Sequence, residues 1–155
     1  MTVRIRKILL PTDFSEYSRT ALAYACELAE KYGAELHLLH ALEIHPVSTP
    51  DFGMGLALPR YVAESKQHAE TSLSKFLESQ QAARLKVVHR LIEGSPRTEI
   101  PRYARDQNID LIVLSTHGRT GLAHALMGSV AENVVRTAPC PVLTIRPEGH
   151  QFVMP

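Results

Sequence analysis

Apolar and polar positions follow two rhythms along this chain. Short apolar runs recur at 3–11, 34–42, 85–92, 109–115 and 141–146, and each predicts a buried strand. Between them the apolar residues repeat at helical spacing. Ala21, Leu22, Ala25, Leu28 and Ala29 predict a helix from an N-cap at Ser15 through about Lys31, ended by Gly33. Val62, Ala69, Leu73, Phe76 and Leu77 share one face of a second helix over 60–81. Ser95 followed by Pro96 opens a third, because a proline at the first helical position loses no bond. Pro101, five residues on, removes an internal bond and predicts a kink. A last helix is predicted over 129–138. The segment 44–59, broken by Pro46, Pro50, Gly53, Gly55 and Pro59, reads as a functional flap or mobile loop.

Strands alternate with helices throughout. That pattern predicts an α/β fold: an open five-stranded parallel sheet with helices on both faces and right-handed crossovers. One domain over 1–147 holds it, followed by a loose tail, 148–155. In such a sheet, ligands bind outside the carboxyl ends of the strands, where the strand order switches. Asp13 follows the first strand directly. Its carboxylate serves either a ligand's hydroxyl or amine, or an Asx turn before Ser15.

The fourth strand leads into Ser115-Thr116-His117-Gly118, then nine residues, then Gly128-Ser129 and a helix. Gly118 and Gly128 let backbone amides approach an anion, and the helix start offers unpaired N–H groups. The loop reads as a phosphate cradle. Its other reading is structural: Gly118 a turn residue, and Ser129 with Glu132 a capping box. Both fit together. His117 and Arg119 flank Gly118, within reach of phosphates or of solvent. Ser115 and Thr116 offer hydroxyls to a ligand or to strand-end hydrogen bonds.

Composition narrows the chemistry. Lys and Arg number 17 against 16 Asp and Glu, dispersed along the chain, which argues against a nucleic-acid partner. No run approaches a membrane span, and Ile8-Leu9-Leu10 is too short for a signal-peptide core. Cys26 and Cys140 make neither a disulfide framework nor a zinc site, so the expected compartment is the cytoplasm. The histidines lack metal-ligand spacing; His37 and His40, three apart in a strand, face opposite sides. Neither a nucleophile elbow nor a Walker lysine loop occurs, which leaves no clamp for efficient phosphoryl transfer.

The segments KILLPTDFSEYS, AELHLLHAL and IDLIVLSTHGRTGLAHALMGSVAENVVRTAPCPVLTIRP resemble the universal stress protein family over nearly the whole chain. The family's nucleotide-binding members carry Gly-x2-Gly-x9-Gly followed by Ser or Thr. Gly118, Gly128 and Ser129 match, while Ser115 stands at the first glycine and Gly121 falls inside the spacer. The resemblance implies a strand order of 3-2-1-4-5 and a homodimer paired through Val142–Ile145. It implies ATP or AMP between the ends of the first and fourth strands, with Mg2+ or Mn2+ accompanying ATP. Asp13 would then lie near the ribose, and the backbone of Ala41 at the adenine. Gly118, Gly128, Ser129 and the Val130 amide would hold phosphates. Pro11, Thr12, Leu114, Ser115, Thr116 and Arg119 complete the expected site. Ser115 either crowds the ligand or adds a hydrogen bond to it. The implied role is a dimeric stress-response regulator; a nucleotide-free adaptor and a slow ATP hydrolase are the alternatives.

Overall fold

The computed structural model describes residues 3–44, 59–78, 82–118 and 127–146. The predicted loop between 45 and 58, Arg119 with the rest of the spacer to 126, and the tail from 147 lie outside the described residues. The elements run β1 (Lys7–Pro11), α1 (Glu16–Tyr32), β2 (Glu35–Leu42), α2 (Pro59–Phe76), β3 (Val87–Glu93), α3 (Pro96–Asp106), β4 (Leu111–Ser115), α4 (Ser129–Thr137) and β5 (Val142–Ile145). All neighbouring strands pair in parallel, in the order β3-β2-β1-β4-β5. The chain leaves β1 for β2 on one side and reaches β4 on the other. A crevice therefore opens where β1 and β4 end.

Period-two burial divides the core. Ile8, Leu10, Leu36, Leu38 and Val113 pack with Ala21, Ala25, Ala29, Leu73 and Phe76 under α1 and α2. Leu9, Leu39, Ile112 and Leu114 pack with Ile100, Tyr103, Ala131 and Val134 under α3 and α4. A strand covered on both faces reads as one apolar run, which is why the sequence shows runs rather than alternation.

Local hydrogen bonds set the element ends. The Ser15 hydroxyl accepts the Ser18 amide at 3.2 Å and caps α1. Gly33, left-handed at φ 62°, ends it and lets the Ala34 amide return to the Ala29 carbonyl at 2.8 Å. β1 and β4 start later than their apolar runs. The Arg6 and Lys7 amides go to the Asp110 carboxylate, and the Ile109 amide closes the end of α3 on the Ala104 carbonyl. β3 starts late because Ala82–Arg84 forms a 3-10 turn. α2 stops at Phe76, short of the predicted 81. The proline at 101 does not interrupt α3. The carbonyl it deprives belongs to Arg97, an exposed residue that water can serve.

His37 shares a face with Leu9, its register partner on β1, and lies 3% exposed beneath α3. Its Nε2 donates to the Glu35 carboxylate at 2.8 Å, so its Nδ1 accepts the Tyr103 hydroxyl at 2.8 Å. Lys86 holds the other Glu35 oxygen. This chain of bonds fastens α3 to the sheet. Burial pushes the His37 imidazole below its ordinary 6.5, against the opposing pull of Glu35. Hydrogen bonding from Lys86 holds the Glu35 carboxyl below its ordinary 4.5.

As pH falls below 6.5, the unfolded chain takes up a proton that the folded His37 refuses. Stability therefore drops through the region below 6.5, and drops again below 4.5 as Glu35 follows the same sign. Urea midpoints at pH 7.5 and 5.5 should differ in the wild type and differ less in His37→Gln. An equal difference in both would refute this assignment.

Candidate functional site

Two chain turns meet at the crevice. The first leaves β1. The buried Thr12 sends its amide to the Leu39 carbonyl at 2.9 Å, and its hydroxyl accepts the Phe14 amide at 3.0 Å. Asp13 Oδ1 accepts the Ser15 amide at 3.0 Å and the Ser18 hydroxyl at 2.6 Å. The Asx-turn reading of Asp13 is thus realised, on one oxygen. Between them Phe14 sits at φ 64°, a left-handed conformation that costs a side-chain-bearing residue energy. Its ring stacks on His40 at 4.4 Å and meets Phe76 edge-on at 6.0 Å. His40 in turn donates Nδ1–H to the Thr12 carbonyl at 2.7 Å. The strained turn is pinned from both sides.

The second turn leaves β4. The Thr116 amide donates to the Ile145 carbonyl at 2.9 Å, at the end of β5. The Thr116 carbonyl accepts the Gly128 amide at 2.6 Å, at the start of α4. Its hydroxyl lies 2.9 Å from His117 Nδ1 and 3.4 Å from the Ile145 carbonyl. The Ser115 hydroxyl donates to the His117 carbonyl at 2.7 Å. Both hydroxyls bond within the loop, and that of Thr116 also reaches β5. Ser115, where the family motif has glycine, adds a bond inside the turn.

The glycines serve space. Neither Gly118 nor Gly128 has a positive φ. A Cβ on Gly118 would stand 2.7 Å from Asp13 Oδ2, and one on Gly128 would stand 3.2 Å from the Thr116 carbonyl oxygen. The bareness of Gly118 seats the Asp13 carboxylate; that of Gly128 lets α4 start against the loop. Gly128 is the N-cap of α4 and Ser129 its first helical residue, so the expected Ser129–Glu132 capping box is not built. The Gly128 amide donates to the Thr116 carbonyl, so the bond orders the start of α4. The amides of Ser129, Val130 and Ala131 find no backbone or side-chain partner among the described residues. They carry the positive end of the helix dipole.

These turns enclose a cavity of about 350 Å³. Pro11, Thr12 and Asp13 line it from β1, Ala41 from β2, and Leu114, Ser115, Thr116 and Gly118 from β4. Gly128, Ser129 and Val130 line it from α4. The described residues expected at the site therefore share one cavity. Ser18, Glu43, Pro96, Ile100, His117 and Ala131 also line it. The sequence reading missed Ile100 and Ser18; the apolar type of Ile100 within the third predicted helix, and the place of Ser18 three residues after the Ser15 cap, were the signals that could have found them. Glu43 carried no signal beyond following the second strand. Among the described residues no group of three His, Cys, Asp or Glu could hold a metal ion. Burial pushes the Cys26 thiol up to about 11 and raises that of Cys140, so neither is an activated nucleophile.

Over residues 4–146 the chain matches the model of the universal stress protein family, and it belongs to that family. The universal stress protein MJ0531 of Methanocaldococcus jannaschii is 34% identical over 142 residues, covering 91% of this chain and 82% of its own. The solved structure of MJ0577, from the same organism, superposes with a TM-score of 0.81 at 28% identity, covering 96% of this chain and 100% of that one. UspA from Lactobacillus plantarum superposes at 0.78 with 27% identity, covering 94% and 100%.

The contact between Gly118 and Asp13 gives a test by double-mutant cycle. Gly118→Ala should cost about 1–3 kcal/mol in the wild type, as overpacking does, and little in an Asp13→Ala background, where the new methyl finds room. Thermal unfolding of the four proteins measures it. Additive losses would show that the two residues do not share space.

Proposed function

We propose that this protein binds an adenine nucleotide, ATP or AMP, in the cavity at the ends of β1 and β4. One observation carries the reading: the first turn of α4, whose Ser129, Val130 and Ala131 amides find no partner among the described residues, lines the same cavity as the Asp13 turn and Ala41. An anion at a helix N-terminus completes bonds that the helix leaves unmade. In this reading the Ser129, Val130 and Ala131 amides hold phosphates, Asp13 accepts from the ribose, and Ala41 presents backbone groups to the base. The volume lies within the roughly 300–1,000 Å³ of small-molecule clefts. A divalent ion accompanying ATP would ride on the triphosphate, since the described wall offers no cluster for it. A universal stress protein of this fold has been solved in complex with cAMP, and one from Archaeoglobus fulgidus with dAMP, at TM-scores of 0.69 and 0.58. At 20% identity these likenesses are of fold.

The role that follows is regulatory, in a cytoplasmic stress response, with a homodimer paired through Val142–Ile145. β5 is an edge strand, and Leu143 on it is an exposed apolar side chain. A second copy would cover that edge. Among the described residues no helix is long and apolar enough to cross a membrane.

Calorimetric titration should show ATP and AMP binding more tightly than adenosine. Asp13→Ala should cost about one to two decades of affinity, the worth of a bond to a charged acceptor. Failure of all three ligands to bind the folded protein would sink the nucleotide reading. Sedimentation at micromolar concentration should give a dimer, and Leu143→Pro should give monomer or precipitate. A monomeric wild type would remove the β5 pairing.

A further inference from the structure

A second cavity, of about 550 Å³, opens at the opposite end of the sheet, outside the amino ends of β1, β2 and β3. Its floor is apolar: Ala29 and Ala34 are buried, and Leu85 packs against the same core. Charged residues surround that floor. Arg6 and Lys7 come from the start of β1, Glu30 and Glu35 from the end of α1 and the start of β2, and Arg84 and Lys86 from the run into β3. Parallel pairing brings these segments together. The Glu35 amide donates to the Arg6 carbonyl at 2.8 Å, and the Leu36 amide to the Lys86 carbonyl at 2.9 Å. The start of β2 is thus held between two basic stretches of chain.

The partners of these charges divide them. Lys86 pairs with one oxygen of Glu35, whose other oxygen holds His37. Lys7 Nζ donates to the Gln107 carbonyl at 2.9 Å. The guanidinium groups of Arg6 and Arg84 make no ion pair or hydrogen bond among the described residues. Each is a planar fork of donors that fits a phosphate or carboxylate in paired bonds and holds its own water weakly. We propose that this cleft is a second ligand site, for a small phosphate-bearing molecule whose anionic group is bridged by Arg6 and Arg84 and whose apolar part rests on Ala29, Ala34 and Leu85.

Two features oppose an anion here, and magnitudes decide between them and the arginines. α1 ends at the cleft with the negative pole of its dipole, worth about half a charge. Two of its last carbonyls are already taken: that of Ala29 by the Ala34 amide at 2.8 Å, that of Glu30 by the Gly33 amide at 3.3 Å. The Glu30 carboxylate is exposed, so solvent screens it. Against these stand two full guanidinium charges and the ammonium of Lys7, while Lys86 and Glu35 neutralise each other. The volume falls within the roughly 300–1,000 Å³ of small-molecule clefts. None of the lining residues lines the first cavity, so the assignment stands apart from the nucleotide reading.

Pyrophosphate is the probe, titrated at constant ionic strength into isotope-labelled protein while amide resonances are followed residue by residue. Saturable shifts are expected at Gly33, Ala34 and Leu85. Arg6→Gln and Arg84→Gln should each weaken this binding about tenfold, the worth of a hydrogen bond to a charged group. Arg84→Lys keeps the charge without the paired donors and should recover only part of the loss. Arg60→Gln, which removes an exposed arginine of α2 outside the cleft, should change nothing. Both cleft arginines are exposed, and circular dichroism confirms that each variant is folded. Residue-resolved shifts keep the test separate from the nucleotide reading, whose amides are those of Ser129, Val130 and Ala131. Absence of saturable shifts at Gly33, Ala34 and Leu85 would overturn the second site. So would undiminished binding by the folded double variant Arg6→Gln with Arg84→Gln, or an equal loss in Arg60→Gln, which would leave only general surface charge.

Discussion

The peptide unit at Thr116 is gripped from both ends: Ile145 takes its amide, and Gly128 gives its own amide to its carbonyl. The residue is 2% exposed, so water cannot stand in for either partner. Three segments far apart in sequence are thereby fixed at one point: the end of β4, the end of β5 and the start of α4. The position of the α4 amides relative to β1 follows from this. If the Gly128 bond were lost, the helix would keep its dipole but no longer aim it at the crevice. The cavity depends on that one buried junction more than on any side chain that lines it.

The alternation of strands and helices was legible because a doubly covered parallel sheet writes each strand as an unbroken apolar run. The ends of the runs were not legible. Ile109 and Asp110 fall inside the run predicted as the fourth strand, yet their amides bond to α3 and to β1. Strand order came from family resemblance rather than periodicity, since a pattern of alternating elements does not say which strands touch. At the site, the contacts that Asp13, Gly118 and Gly128 make with their neighbours were not readable. The glycines were read as openings for an anion; the structure shows that they also make room for a carboxylate and for a carbonyl. Ser129 and Glu132 had the spacing of a capping box, but the helix begins one residue too late for it. Phe14 gave no warning at all. Nothing in its residue type announces a left-handed backbone, which two rings and a threonine hydroxyl hold in place.

In the proposed reading the site would hold an anion without the lysine loop common among phosphate binders. Its donors would be backbone amides, which have fixed direction and no charge to remove. α3 also lines the cavity, through Pro96 and Ile100, one turn from the tyrosine that locks the helix to His37. The cavity is thus lined by apolar side chains from a helix anchored by a buried polar chain, and by the first turn of α4.

Gly118 and Asp13 occupy neighbouring space that only one of them can fill with a side chain. This gives the site a direction of decay. A descendant that first loses Asp13 frees Gly118 to accept almost any small residue. A descendant that first gains a side chain at Gly118 must displace a carboxylate already holding the start of α1. Divergence away from this arrangement should run through the acid before the glycine. Chains that keep the glycine without the aspartate would then be the remnants of a site, not its beginnings.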